Sequence, residues 1–261
     1  MTITTHAQVQ PHRFSLTAIE TPIFNVNDDL VAFIVNHVDS GLVTDGMILA
    51  VTSKIVSLAE GRTVPRGDAT KLELIKREAE TYIGPMEHGG HLTMKHGLLL
   101  ASAGIDESNS QNGDYILYPE NPFASAAHLW KSLREKWNIQ DLAILLTDSR
   151  TAPLRLGVTG FALAYCGFRG LQQRIGEQDL FGRELRATSV NVADGLAAIA
   201  TLLMGEAAES RPLAVMHSTA ALGLVEFSDQ PTTVDEIRVE VEDDLYRRLL
   251  LGGMNMVMPP K

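Results

Sequence analysis

Two short apolar runs constrain the fold of this chain more than any other feature of its sequence. Residues 46–53 (GMILAVTS) and 141–147 (DLAILLT) are rich in β-forming apolar side chains, which is typical of buried strands. Both runs are far shorter than the roughly 20 apolar residues that a membrane helix needs. Each run ends at a group of polar residues, so the sequence predicts two buried strands that carry polar side chains at their ends.

Weaker signals extend this prediction along the chain. Further strands are predicted at 16–21, 96–103 and 213–216, and the strand at 141–147 is expected to stop at Asp148. Helices are predicted at 30–38 (capped by Asp28 or Asp29), 69–82, 122–137, 190–204 and 238–251, with a helix or turn at 55–59 and a core segment at 159–168. Strands and helices alternate irregularly, so we expect a mixed α/β (α+β) fold without a secure topology.

Composition limits the function classes. The chain has 261 residues, 45% of them hydrophobic, which suffices for one large domain, and the net charge of −10 argues against nucleic acid or an anionic membrane as a partner. Its one cysteine, Cys166, lies in apolar sequence and is expected to be buried. We expect a disordered leader at 1–13 without signal-peptide character, a single domain at 14–261, and a cytoplasmic location.

Polar groups at three predicted strand ends are candidates for chemistry. Asp106, Glu107, Ser108 and Asn109 follow one strand, and their carboxylates suit Mg²⁺ or Mn²⁺, although an ordinary Asx turn would look the same. The other two groups are Asp148-Ser149-Arg150, with Arg155 nearby, and Thr52-Ser53-Lys54. A helix N-cap and a solvated turn are the corresponding alternatives without function. Convergence of the acidic strand ends would make one metal and phosphate site.

Several familiar motifs are missing. The sequence contains no GxxxxGK[ST] phosphate loop, no GxGxxG fingerprint and no GxSxG nucleophile elbow. His88 and His91 have a spacing that suggests zinc, but the two glycines between them favour a loop.

Four blocks resemble the coenzyme F420 γ-glutamyl ligase family. They are VTSKIVSLAEGRTV, SAGIDESN, LTDSRTAPLRLGVTGFALAYCGF and DLFGRELRATSVNVADGLAAIATLLMGE, and they occur in the family's order. The resemblance implies an α+β fold forming an intertwined homodimer. It also implies a reaction that uses GTP (or ATP) and divalent metal ions to join L-glutamate to a carboxylate of an acceptor.

The resemblance also implies residue roles. Asp106, Asp148 and Ser149 match metal ligands, and Ser53, Lys54 and Asn109 match nucleotide contacts. Nucleotide contacts are further implied for 21–24 and for 204–211, which includes Met204, Gly205 and Glu206. In the chemistry this implies, γ-phosphoryl transfer makes an acyl phosphate that the glutamate amine attacks. Arg150, Arg155 and Lys54 would hold phosphate, and Glu107 is a candidate general base.

Departures from the family pattern leave part of the function open. Leu58 stands in place of a usual lysine, Ser102 in place of an asparagine, Ala152 in place of an arginine, and Ile23 where an acidic residue is common. The acceptor is therefore a deazaflavin or, as in a bacterial branch, a folate or related pterin. A nucleotide- or metal-binding homologue without catalysis and a purely structural protein are the remaining alternatives.

Overall fold

The computed structural model describes residues 13–87, 89–110, 112–250 and 252. Its strands are β1 (Ser15–Ile19), β2 (Met47–Thr52), β3 (Thr63–Val64), β4 (Thr81–Pro85), β5 (His91–Lys95), β6 (Leu98–Ala101), β7 (Tyr115–Ile116), β8 (Leu142–Thr151), β9 (Val158–Cys166), β10 (Leu171–Gln173), β11 (Ser189–Asn191) and β12 (Leu213–His217). Its helices are α1 (Leu30–His37), α2 (Ser53–Ala59), α3 (Lys71–Glu78), α4 (Pro122–Trp137), α5 (Val192–Met204) and α6 (Arg247–Leu250). The mixed α/β prediction is confirmed. The predicted leader, apart from Arg13, lies outside the described residues.

A five-stranded sheet forms the centre of the molecule. The strand order is β1-β12-β2-β8-β9, in which β2 and β8 are parallel and every other neighbouring pair is antiparallel. Thr52 at the end of β2 lies beside Thr147 in β8. The carboxyl end of β2 is therefore next to the point where the apolar part of β8 gives way to polar residues.

The two faces of the sheet carry separate cores, because successive side chains of a strand point to opposite faces. Leu49 and Val51 of β2 pack with α1, α2 and α4 on one face. Ile48 and Ala50 pack with α5 on the other face. This arrangement confirms that both apolar runs are buried strands. Cys166 is fully buried in the first core, as the sequence predicted.

Helix starts follow the capping residues in the sequence. The side chain of Asp29 accepts from the backbone N–H of Ala32, and Thr70 forms a capping box with Glu73. The predicted helix at 69–82 is too long, because the chain turns to extended geometry at Ala79 and continues into β4. The cap is a local signal, whereas the end of α3 is decided by the pairing of β4 with β5.

The strand predicted at 96–103 is also too long. His96 and Gly97 have φ values of 53° and 69° and form the two-residue turn between β5 and β6. Positive φ at both central residues is the geometry that suits a tight hairpin turn. Only 98–101 of the predicted segment is strand.

The prediction that β8 stops at Asp148 is wrong. The strand continues to Thr151, because Asp148, Ser149 and Arg150 pair with Phe161, Gly160 and Thr159 of β9. Tertiary pairing overrides the low strand preference of these polar residues. As a result their side chains alternate between the two sides of the strand.

The helix predicted at 238–251 is also wrong over most of its length. Helix α6 covers only Arg247–Leu250, and Leu251 lies outside the described residues. Glu240 would face Asp243 and Asp244 at helical spacings of three and four, where like charges destabilise a helix. Within the described part of the chain, no helix is both long and apolar enough to cross a bilayer.

Candidate functional site

A cavity of about 980 Å³ opens where β2 ends beside the polar half of β8. We call it the β2–β8 cavity. Ligand sites of parallel sheets form at the carboxyl ends of the strands, since the loops that follow converge there. The predicted site residues that line the cavity are Ser53, Lys54, Asp106, Asn109, Asp148, Ser149, Arg150, Met204, Gly205 and Glu206. The structure thus brings these ten residues together, whereas Arg155 and Glu107 are not part of the cavity lining.

Asp148 lies at the centre of the cavity wall. Oδ2 of Asp148 accepts a 2.6 Å hydrogen bond from the hydroxyl of Ser53, and Oδ1 accepts one of 2.6 Å from the backbone N–H of Ser149. Burial raises the pKa of the Asp148 carboxyl above its ordinary value, against the lowering effect of hydrogen bonds from Ser53, Ser149 and Tyr118. Because burial destabilises the ionised carboxylate, a cation bound beside it would stabilise the ionised form.

Asp106 is both a turn residue and a charged site residue. Its Oδ1 accepts from the backbone N–H of Ser108, which closes the Asx turn that was the alternative interpretation. Its Oδ2 lies 2.7 Å from the ammonium of Lys54. Although burial opposes the charged form, Lys54 and Ser108 lower the pKa of Asp106 below its ordinary value. The carboxylate therefore stays ionised at the cavity wall.

The 205–212 loop forms a further part of the cavity wall. Oε2 of Glu206 lies 3.2 Å from the hydroxyl of Ser149, and the side-chain amide of Asn109 donates to the carbonyl of Ala207. Burial, together with the charge of Asp148, raises the pKa of Glu206. Gly205 has a φ of 90°, a backbone conformation that residues with a side chain rarely adopt, which favours glycine at this position.

Backbone hydrogen bonds hold this loop against the sheet. The N–H of Thr21 donates to the carbonyl of Ser210, and the N–H of Thr52 donates to the carbonyl of Pro212. Residues 21–26 also line the cavity, so the segment predicted at 21–24 lies beside the loop predicted at 204–211.

Two predicted roles do not fit the cavity. Arg155 is exposed in the connection between β8 and β9, and it is not among the residues that line the cavity. Glu107 points elsewhere, because its carboxylate pairs with Arg66 at 2.6 Å and with Lys71 at 2.5 Å. Because both of its oxygens are engaged outside the cavity, the structure argues against Glu107 as the general base.

Sequence reasoning missed Tyr118, Phe161 and Asp194. Tyr118 is buried beside Asp148 and lines the cavity. The guanidinium of Arg150 lies 4.9 Å from the centre of the Phe161 ring and 3.3 Å from Oδ2 of Asp194. Nothing in the local pattern marks these residues, since each contact joins parts of the chain that are distant in sequence.

The donor set of the cavity suits a hard cation. Asp106, Asp148, Glu206 and Ser149 offer oxygen atoms, which Mg²⁺ and Mn²⁺ prefer. Over the described residues, no three His, Cys, Asp or Glu side chains are already grouped as metal ligands. Magnesium commonly takes one or two carboxylates and completes its shell with water and phosphate oxygens, so the residues fit such an ion.

The histidines do not join this site. Nδ1 of His91 lies 2.8 Å from the hydroxyl of Tyr82, away from the cavity. His88, the other residue of the suggested zinc pair, lies outside the described residues.

Comparisons with known proteins agree with the resemblance found in the sequence. The family model described as F420-0:Gamma-glutamyl ligase matches residues 18–218. The Coenzyme F420:L-glutamate ligase of Methanopyrus kandleri is 34% identical over 207 residues, which are 73% of this chain and 81% of that protein. The enzyme of the same name from Methanothermobacter thermautotrophicus is 32% identical over 223 residues, covering 78% of this chain and 88% of the relative. This chain therefore belongs to the F420-0:Gamma-glutamyl ligase family.

Proposed function

We propose that this protein is a γ-glutamyl ligase that uses a nucleoside triphosphate, GTP or ATP, to join L-glutamate to a carboxylate of a coenzyme F420-type acceptor. Membership of the family and the names of its relatives support the substrates. The observation that carries the proposal is the convergence of Ser53, Lys54, Asp106, Asp148 and Glu206 on one cavity. Because the reaction consumes a nucleoside triphosphate, we propose that it takes place in the cytoplasm.

The proposed chemistry activates a poor electrophile. An oxygen of the acceptor carboxylate attacks the γ-phosphorus, the bond to the β-phosphate oxygen breaks, and a nucleoside diphosphate leaves. The amine of glutamate then attacks the acyl carbon of this acyl phosphate. An amide bond forms, inorganic phosphate leaves with the bonding electrons, and the amine loses its proton.

The residues of the cavity would serve this reaction by binding and orienting anions. Lys54, near the start of α2 and paired with Asp106, would donate to phosphate oxygens. The 205–212 loop and Asn109 would hold the nucleotide against the end of β2 and the polar half of β8. Asp106, Asp148 and Ser149, with Glu206 adjacent, would hold Mg²⁺ or Mn²⁺, which when bound offsets repulsion between the phosphate and carboxylate anions.

Product analysis by mass spectrometry tests the proposal. Purified protein is incubated with Mg²⁺ or Mn²⁺, glutamate, GTP or ATP, and either a deazaflavin or a reduced folate. We expect the acceptor to gain the mass of one or more glutamate residues while phosphate is released. If only the folate gained the mass of glutamate, the acceptor would be a folate and the proposed chemistry would still hold. Nucleotide binding without phosphate release on either acceptor would show a homologue without catalysis and overturn the proposal.

The Asp148→Asn variant and a chelator make the test specific. Asparagine keeps the shape of Asp148 and removes its charge, so we expect product formation to fall by at least about a hundredfold. Metal-depleted wild-type protein should be equally inactive and recover when Mg²⁺ or Mn²⁺ is returned. Full activity of the variant, or of the metal-depleted protein, would contradict the proposed roles.

We further propose that the protein pairs with a second copy of itself. Leu154 and Leu156 in the connection after β8, and Leu180 and Phe181 between β10 and β11, are almost fully exposed. Large apolar side chains that remain exposed are candidates for burial against a partner. Light scattering should give the mass of a dimer, and the Leu180→Asp/Phe181→Asp variant should shift it toward the monomer. A monomeric wild type at assay concentration would refute pairing.

A further inference from the structure

Arg150 is a fixed cation at the wall of the β2–β8 cavity. Its Nη2 lies 3.3 Å from Oδ2 of Asp194, and its guanidinium lies over the ring of Phe161, which is buried. About a third of the Arg150 side chain remains exposed, and the residue lines the cavity. The ion pair and the ring together hold the guanidinium plane in one orientation.

Asp194 is itself held by three hydrogen bonds. Its Oδ1 accepts from the backbone N–H of Ala162 at 3.0 Å, on the edge strand β9. Its Oδ2 accepts from the side-chain amide of Asn191 at 3.1 Å, and its N–H donates to the side chain of Asn191. The acid is thereby tied to the start of α5 and to β9, so the arginine it holds has little freedom to move.

Most of the hydrogen-bonding capacity of this arginine is unused. A guanidinium has five N–H donors, and in the described part of the chain Asp194 is the one side chain that accepts from it. The planar fork of Arg matches a carboxylate, which can accept two parallel hydrogen bonds. The remaining N–H donors of Arg150 can therefore bind a second carboxylate in addition to that of Asp194.

The position of Arg150 separates it from the nucleotide side of the cavity. Ser149 points toward Glu206 in the 205–212 loop, whereas Arg150 shares the other side of β8 with Asp148. Arg150 is two residues beyond Asp148 along the strand, about 7 Å away and farther from Ser53 and Lys54 at the end of β2. A molecule that reacts at Asp148 would place its outer part, not the nucleotide phosphates, near Arg150.

The charge of the cavity favours a substrate-binding role for this cation, although Arg211 of the 205–212 loop also lines the cavity. Asp106, Asp148 and Glu206 line the cavity, and Lys54 is already paired with Asp106. The whole chain carries a net charge of −10. An anionic substrate entering this cavity needs a compensating positive group, and Arg150 provides one away from the phosphate site.

We propose that Arg150 binds a carboxylate of one of the two substrates other than the nucleotide, and that Asp194 is the positioning residue that orients it. The assignment rests on the proposed ligase function. The carboxylate belongs either to the incoming glutamate or to the acceptor, and both would make the same paired hydrogen bonds with the guanidinium.

Steady-state kinetics with each substrate varied in turn tests the assignment. In Arg150→Gln we expect the KM for one carboxylate substrate to rise about 10- to 100-fold, while the KM for the nucleotide stays within about twofold. Arg150→Lys keeps the charge but loses the fork, and should recover only part of the loss. Whether glutamate or the acceptor shows the rise identifies the bound carboxylate.

Asp194→Asn tests the positioning role. Asparagine keeps an oxygen for the N–H of Ala162, so the fold should be preserved, but the charge that orients Arg150 is lost. We expect a smaller rise, about 3- to 10-fold, in the KM for the same substrate. The matched control is Arg169→Gln, which removes an exposed arginine paired with Glu226, and it should leave every KM unchanged.

The outcomes separate this inference from the proposed function. A nucleotide KM that rises as much as the others would make Arg150 a phosphate residue and overturn the inference. Unchanged KM values in a folded Arg150→Gln protein would show that the Arg150–Asp194 ion pair is purely structural. That result would also overturn the inference. Wild-type protein that neither forms product nor binds glutamate or acceptor in calorimetry would instead refute the ligase function itself.

Discussion

The hydroxyl of Ser53 donates a 2.6 Å hydrogen bond to Oδ2 of Asp148, across 95 residues of sequence. Ser53 is the first residue of α2 and directly follows β2, while Asp148 lies within β8. The parallel pairing of the two strands is what brings the residues together. This bond joins two of the three polar clusters that the sequence singled out.

Ser53→Ala should lower catalysis without unfolding the protein. A hydrogen bond to a charged group is worth roughly 1.5–3 kcal/mol, so we expect kcat to fall about 10-fold or more. The measurement is the initial rate of product formation at saturating substrates. Ser40→Ala, at an exposed position with no role in the cavity, is the control. An unchanged kcat would mean that Ser53 does not orient Asp148.

Glu78 should be important for stability, and in a pH-dependent way. Its carboxylate lies 2.7 Å from Nζ of Lys95 and 2.6 Å from Nη2 of Arg62, and all three side chains are largely buried. Burial opposes its ionisation, but Lys95 and Arg62 lower the pKa of Glu78 below the ordinary 4.5. Because the folded pKa is depressed, its contribution is present above the ordinary pKa and is lost as the pH falls through the folded value.

Glu78→Gln should therefore lower the free energy of unfolding by about 3 kcal/mol at pH 7, since Lys95 loses its partner. The difference from wild type should shrink in acid. Urea denaturation at several pH values measures both effects. The control is Glu177→Gln, which breaks an exposed pair with Arg174 and should cost at most about 1 kcal/mol. Equal losses in the two variants at pH 7 would contradict the prediction.

Gly104 and Gly46 should respond differently to alanine, although both have positive φ. At Gly104 (φ 71°) a Cβ would lie 2.2 Å from the ring of Tyr118, whereas at Gly46 (φ 82°) it would meet nothing within 4 Å. Gly46→Ala should cost about 1–2 kcal/mol of backbone strain, and Gly104→Ala about 2–4 kcal/mol because overpacking is added. Thermal denaturation of both variants, compared with wild type, measures the difference. Indistinguishable midpoints would show that Tyr118 moves aside easily.

Tyr165 should hold the segment after β12 in place. Its hydroxyl donates to the carboxylate of Glu236, which also accepts from the N–H of Gly170 at 3.1 Å. Burial, with Glu236, raises the pKa of Tyr165, so the phenol stays protonated and remains a donor. Tyr165→Phe should cost about 1–2 kcal/mol and should speed amide hydrogen exchange around 232–238. Tyr246→Phe, at an exposed position, is the control; exchange that rises equally in both variants would refute the link.

Local signals predicted much of the fold. Apolar runs marked β2 and the first part of β8, and the capping residue Asp29 marked the start of α1. The ends of helices and strands were predicted less well than their positions: α3 and β6 are shorter than predicted, and β8 is longer. An element ends where pairing or packing with a distant segment decides it, and no local pattern contains that information.

The sequence alone identified many of the polar residues of the cavity wall: clusters at the ends of β2 and β6 and within β8, in blocks that identify the family. It did so because burial and capping leave local patterns. Long-range contacts, by contrast, set how Ser149 and Arg150 divide between the two sides of β8, hold Glu107 away through Arg66 and Lys71, and place Asp194 against Arg150. Each of these depends on strand register or on a charge partner far along the chain, and both are fixed only when the whole chain packs.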